Sequence, residues 1–313
     1  MRILITGGGG FLGQNLIAVL TEQYASATVI SPSRTEYDLR QLHAWEEMLE
    51  SARPDVVVNL AARVGGILAN QQKPADLFYD NLLITSHCFG SCSRAKIKRL
   101  IVPFGGCSYP DNAVNPISED DLWNGFPNTI SAPYSIAKKL AAVAAEAYTR
   151  QYKLRTQLVI PGNVYGPHDN FSETVGHVIP ALMSKMHRAK VQDLDKVTLF
   201  GSGRAIRDFV YIRDVVEIMA HMVMTDEDYD VINISSGVGR TIHDLALTIQ
   251  EVVGFSGALE FDSTKPDGQL EKVFDVTRMK SYGFTCETSM EKGLELTYSW
   301  FLRAITRPDG LRV

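Results

Sequence analysis

The chain has 313 residues, 45% of them hydrophobic, and a formal net charge of −5. That length and apolar content allow a sizeable core in one large domain or two closely joined ones, and they exclude a disordered chain. Lys and Arg are outnumbered by Asp and Glu, 31 to 36, and are scattered, so neither nucleic acid nor an anionic membrane surface is an expected partner.

Strand-like apolar runs alternate with amphipathic stretches along the first half: Arg2 to Thr6, Ala27 to Ser31, Val56 to Leu60, Leu100 to Phe104 and Gln157 to Ile160. This rhythm predicts a doubly wound α/β fold of Rossmann type, a parallel sheet with helices on both faces. The first run starts almost at Met1, leaving no room for a leader, and no uninterrupted apolar segment could span a bilayer, so a cytoplasmic protein is expected. A helix is expected from Tyr134 to Tyr152, and the short basic cluster Lys96, Lys98, Arg99 is expected to end a helix. Pro161 to Asn170 breaks the pattern. Beyond it helices mix with short strands such as Val197 to Phe200 and Val231 to Ile234, which predicts a smaller mixed α/β region. The division expected is a cofactor domain over 1–164, with roughly 210–245 returning to it, and a substrate domain over 165–209 and roughly 246–313. The cysteines Cys88, Cys92, Cys107 and Cys286 are too few and too dispersed for a disulfide framework. Cys88 and Cys92 beside His87 read as helix packing, because no further Cys/His pair lies at ligand spacing; no metal is expected.

Thr6-Gly7-Gly8-Gly9-Gly10-Phe11-Leu12-Gly13 follows the first strand and opens a helix carrying Leu16, Ile17 and Leu20. Gly7, Gly10 and Gly13 have the spacing that permits a tight turn, close approach of a pyrophosphate and close helix packing, so a dinucleotide is implied. After the second strand, Ser31-Pro32-Ser33-Arg34 stands where an NAD-preferring site would carry an acid. Hydroxyls and a guanidinium suit a 2′-phosphate, hence NADP(H), the lesser alternative being an Arg34 that is an ordinary solvated loop residue. Tyr134 and Lys138 lie four apart on one helix face. A tyrosine can protonate an incipient alkoxide, and a neighbouring ammonium is expected to bring its pKa down from roughly 10.

With Asn59-Leu60-Ala61-Ala62 and Pro161 to Pro167, these motifs make the chain resemble the extended short-chain dehydrogenase/reductases. Within them it is similar to the GDP-L-fucose synthase branch, NADPH-dependent epimerase/reductases of GDP-4-keto-6-deoxy-mannose. Asn59 to Ile67, Pro74 to Asn81, His177 to Leu182, Arg207 to Val210 and Lys265-Pro266-Asp267-Gly268 carry that likeness along nearly the whole chain.

The resemblance implies Tyr134 as proton donor to the C4 carbonyl, Lys138 as its partner at the nicotinamide ribose, and Cys107 with His177 as the pair handling protons at C3 and C5. Those hydrogens are acidified by the flanking ketone, and a thiol near roughly 8.5 and an imidazole near roughly 6.5 are suitable groups. It further implies a cofactor site of Gly7, Gly10, Phe11, Leu12, Gly13, Arg34, Asp38, Leu39, Ala61, Ala62, Phe104, Gly105, Tyr134, Lys138, Pro161, Asn163, Val164 and His177. The substrate site would comprise Cys107, Ser108, Asn163, Lys185, Phe200, Arg207, Asp267 and Lys272. The substrate would be a nucleotide-diphosphate sugar, with GDP favoured.

The chain departs from the branch at Gly105, where a Ser that hydrogen-bonds the substrate carbonyl is expected; loss of a comparable donor costs roughly 2.7–4 kcal/mol. Ser108, if extended, would point away from the face used by Cys107. The space left by Gly105 and Gly106 suggests a different sugar as one alternative. Others are a C4 reductase alone, an epimerase alone, or a non-catalytic NADPH-binding sensor or scaffold. Lys185 replaces an Arg of the branch and Phe200 a Trp. Ala137, Ala141, Ala144 and Ala145 would permit close helix packing, either in a homodimer through the Tyr134–Lys138 helix or within the chain.

Overall fold

The computed structural model describes residues 1–265, 267–307 and 311. Pro266 of the Lys265–Gly268 motif lies outside the described residues, as do 308–310 and 312–313 at the end of the expected substrate domain. In chain order the first half contains β1 (Arg2–Thr6), α1 (Phe11–Gln23), β2 (Thr28–Ile30), α2 (Leu42–Ala52), β3 (Val56–Asn59), α3 (Ile67–Gln72), α4 (Pro74–Arg94), β4 (Arg99–Pro103), α5 (Ala132–Tyr152) and β5 (Arg155–Pro161). There follow β6 (Asn163–Tyr165), α6 (Val178–Val191), β7 (Lys196–Phe200), β8 (Ile206–Tyr211), α7 (Ile212–Met224), β9 (Ile232–Ile234), β10 (Gly239–Thr241) and α8 (Ile242–Val253). The chain ends with β11 (Ala258–Asp262), β12 (Glu271–Lys272), α9 (Thr277–Ser281) and α10 (Met290–Ala304).

Among the described residues one sheet has six strands, all parallel, in the order β2-β1-β3-β4-β5-β9. Every residue of β3 and β4 is buried, the outcome required when helices cover both faces and each strand is apolar on both. The expected Rossmann-type sheet is therefore present. Smaller sheets join β10, β8, β12 and β6, and β11 with β7. β10 lies within the segment 210–245 expected to return to the cofactor domain, yet it pairs with β8 in a smaller sheet. Local chemistry sets several boundaries. Thr241 accepts the Asp244 N–H at the start of α8, and Gly254 ends that helix in the left-handed conformation.

The structure refines two expectations about helices. Of the basic cluster, Lys96, left-handed at φ +53, closes the C-terminal turn of α4, whereas Arg99 opens β4, buried, donating to the carbonyls of Met222, at 2.7 Å, and Thr225. The cation does sit at a helix C-terminus, but that of α7, brought there by tertiary folding. Ala137, Ala141 and Ala145 are buried within the chain, where α5 packs along α4, so the alanine stripe serves an intrachain contact. Cys88 and Cys92 are buried in the core beneath the sheet, as helix packing requires. No helix among the described residues is long and apolar enough to cross a membrane.

Candidate active site

The site begins where the sheet order diverges, β1 leading to β2 on one side while β3 lies on the other. Ligands of open α/β sheets bind in the crevice beyond the strand ends at such a point. Gly7 turns there with φ +70, and a Cβ on it would lie 2.8 Å from the backbone of Leu60 and Ala61 after β3. Only a glycine admits that approach. Gly10 is the N-cap of α1 and no side chain caps the helix, so backbone donors at Phe11 and Leu12 face the turn without a side-chain partner. Gly9 meets nothing within 4 Å of where its Cβ would be. An open, uncapped cradle of this kind fits a dinucleotide pyrophosphate.

Beyond β2 the adenosine end is less simple than the sequence implied. Ser31 Oγ donates to the Ile5 carbonyl at 3.1 Å, and the Glu36 carboxylate accepts the Ser33 N–H at 2.6 Å. Arg34 is exposed; its charge and a hydrogen bond from Arg40 lower the Asp38 pKa, the Arg40 bond being the larger cause. Leu39 is half-buried and accepts from the Trp45 indole at 2.9 Å. Ala61 and Ala62 follow β3, and the Ala61 N–H donates to Thr6 Oγ1 at 3.3 Å.

Tyr134 and Lys138 lie in the first turns of α5, Lys138 buried and Tyr134 partly exposed, and the turn carrying the partly exposed Cys107 packs against this helix. Burial lowers the Lys138 pKa to about 8, opposed by the thiols of Cys88 and Cys107. Burial also raises the Tyr134 pKa, with Cys107 adding to the effect. The direction is opposite to the lowering expected from a neighbouring ammonium, because removal of the phenol from water disfavours the phenolate. Cys88, unmentioned by any motif, faces Lys138 from α4. Asn59 also contacts it and accepts from Thr6 at 2.7 Å, so the glycine turn and the lysine are joined through the core.

Gly106 to Ser108 form a single 3₁₀ turn rather than the expected extended segment. Ser108 is fully buried with its Oγ 3.4 Å from the Ser135 carbonyl, to which it donates. Cys107 is partly exposed. The glycines differ: a Cβ on Gly106 would lie 2.4 Å from the Phe274 ring, whereas one on Gly105 would lie 3.4 Å from Cys107 Sγ in ordinary contact. The expected space thus exists at Gly105 alone, Phe274 filling the other. Below the turn, Tyr109 donates to Asn233 at 2.6 Å, and the Asn233 N–H donates to Glu119 at 2.7 Å, tying the segment to β9. Phe104 is buried and its N–H bonds the Val159 carbonyl at 3.0 Å; Pro161 closes β5.

Across the cleft, Arg207 and Lys272 are register partners on β8 and β12. Burial lowers both pKa values, and the Lys272 ammonium also feels Cys107. Asn163 donates to the Asp208 carbonyl at 2.7 Å, while Val164 pairs with Val210. Asp267 accepts the Ser202 N–H at 2.6 Å and its hydroxyl at 2.7 Å, holding the turn after β7. Lys185 donates to the Thr198 carbonyl and lies 5.6 Å from the ring centre of Phe200, itself 72% exposed. His177 is the N-cap of α6, its Nδ1 3.0 Å from Asp169 Oδ1. Asp169 and Phe274 escaped the sequence reading. An acid eight residues before the histidine was the only signal for the first, and none marked the second.

A glycine turn with an uncapped helix, together with a tyrosine and a lysine on one helix and a thiol on the turn packed against it, defines a dinucleotide-dependent oxidoreductase of the short-chain dehydrogenase/reductase class. Residues 3–235 match the model of the NAD dependent epimerase/dehydratase family, and the chain belongs to that family. It is 37% identical over 318 residues to GDP-L-fucose synthase of Escherichia coli (strain K12), with 99% of each chain covered. To that of Sinorhizobium fredii it is 35% identical over 301 residues, covering 96% and 95%. Among solved structures it is similar to a GDP-L-fucose synthetase from Naegleria fowleri bound to NADP, with TM-score 0.91, 26% identity and coverage of 100% and 96%. It is also similar to a GDP-6-OMe-4-keto-L-xylo-heptose reductase from C. jejuni, with TM-score 0.88, 26% identity and coverage of 96% and 97%. The chain is an NADP-dependent oxidoreductase of this epimerase/reductase group.

Proposed function

We propose that the protein is an NADPH-dependent epimerase/reductase acting on a GDP-linked 4-keto-6-deoxy sugar. One observation carries this reading: the turn bearing Cys107 packs against the helix of Tyr134 and Lys138, and the thiol lies within electrostatic reach of both, near the group that would serve C4. Bound NADPH would supply hydride. The chain's own residues do the rest. Backbone donors at Phe11 and Leu12 hold the pyrophosphate, Arg34 meets the 2′-phosphate, and Lys138 holds the nicotinamide ribose. Cys107 and His177 move protons at the carbons flanking the ketone, and Tyr134 gives its proton to the C4 oxygen. Arg207 and Lys272 bear on the diphosphate, Lys185 adds charge, and Phe200 offers a stacking face. The cofactor would lie on the unit built from 1–164 and 210–245, with the sugar under 165–209 and 246–313. A homodimer is proposed through the outer face of α4 and α5, where Phe78, Tyr79 and Val143 are exposed. A cytoplasmic location is part of the same reading.

Incubation with GDP-4-keto-6-deoxy-mannose in heavy water, with and without NADPH, tests the two halves. Deuterium entry at C3 and C5 together with NADPH oxidation is the expected result. Oxidation without exchange would reduce the assignment to a C4 reductase, and exchange without oxidation to an epimerase, the reading to which Gly105 points. The absence of both exchange and oxidation on this sugar would overturn the proposal.

Gly105→Ser is expected to raise the rate of C4 reduction at least tenfold, since a restored hydroxyl donor is worth roughly a factor of 100 to 1,000 when well placed. The fit is permitted, because the added Cβ makes only van der Waals contact with Cys107. Single-turnover NADPH oxidation measures it. A slower variant would mean that the pocket is organised around the missing side chain.

A further inference from the structure

The loop between β6 and α6 presents His177 on a buried acid. Asp169 is 1% exposed, and its Oδ1 accepts both His177 Nδ1, at 3.0 Å, and the Asn170 N–H, at 2.7 Å. The imidazole itself is 71% exposed. The loop is anchored independently of the histidine: Asn15 of α1 donates to the Pro167 carbonyl at 2.9 Å, and Gly176 N–H bonds the Ser172 carbonyl at 2.9 Å.

We propose that Asp169 is a positioning residue for His177, fixing its tautomer and its capacity to carry a proton; this rests on the reading of His177 as a proton-handling group. A carboxylate only accepts, so Nδ1 carries the hydrogen and Nε2 is left with its lone pair. The ring then takes a proton at Nε2, and the resulting cation shares its charge with the acid 3.0 Å away. This counteracts a local handicap. His177 caps the N-terminus of a 14-residue helix, whose positive end disfavours an imidazolium. A carboxylate at contact distance acts more strongly than the partial charge of a helix end. A tie made only for stability has less to recommend it, since pairs with an exposed partner contribute little.

The test uses the full-length protein with NADPH and GDP-4-keto-6-deoxy-mannose in heavy water. Asp169→Asn is expected to lower deuterium entry at the epimerised carbon by roughly 100-fold or more, the scale seen when a catalytic histidine is left in the wrong tautomer. NADPH affinity should be unchanged, and Asp169→Glu should recover part of the exchange. Exchange in Asp169→Asn within threefold of wild type, with His177→Gln inactive, would overturn the proposal while leaving the role of His177 intact. Wild-type exchange in His177→Gln would remove both. Should Asp169→Asn fail to fold, ¹⁵N NMR of neutral His177 in the native protein decides: an Nδ1–H tautomer supports the proposal and an Nε2–H tautomer overturns it.

Discussion

Tyr134→Phe should lower kcat for NADPH-dependent reduction by roughly 10²–10⁴, the usual contribution of a positioned proton donor. The Kd for NADPH should stay within about threefold. A phenol of ordinary pKa, roughly 10, is neutral at pH 7, and burial raises that of Tyr134 further. That state suits reduction, in which a negative oxygen develops and a proton must be waiting. Lys138, brought down to about 8 by the same burial, remains mostly protonated at neutral pH and can still attract the alkoxide and ribose oxygens. Stopped-flow NADPH oxidation at saturating substrate, with cofactor titration by fluorescence, separates chemistry from binding. A loss of less than tenfold would show that another group protonates the alkoxide.

Gly7→Ala is expected to destabilise the protein by about 3 kcal/mol or more and to weaken NADPH binding at least tenfold. Two costs combine: a left-handed conformation at φ +70 and a methyl group 2.8 Å from the backbone of Leu60 and Ala61. Neither neighbour is a flexible side-chain end, so β1 and β3 would have to separate where their loops form the cofactor cradle. Gly9→Ala is the control, for its added carbon meets nothing within 4 Å. Urea midpoints for the two variants should differ clearly. If both fell together, a general intolerance of the turn to side chains rather than this contact would be the cause.

Legibility varied with the range of the interaction that decided each feature. The parallel sheet could be read because β1, β3, β4 and β5 are apolar on both faces, a pattern carried within each strand. The dinucleotide cradle was readable for a similar reason, since Gly7 to Gly13 follows directly on β1. Tyr134 and Lys138 share a face through helical spacing alone. Arg99 shows the limit. Its neighbours suggested a helix end, and a helix end does hold it, but the carbonyls belong to Met222 and Thr225 more than 120 residues away.

By itself, then, the sequence determined the doubly wound α/β class, the glycine cradle, the Tyr134–Lys138 pair and the presence of a thiol beside a missing hydroxyl at Gly105. These depend on composition, period and adjacency. Only the tertiary structure decided that burial raises the Tyr134 pKa, that Phe274 occupies the face of Gly106 while Gly105 remains open, and that His177 rests on Asp169. Each of these follows from which distant groups share a space with little water. Desolvation and contact at a few ångströms are properties of the packed chain, and no local pattern of residues carries them.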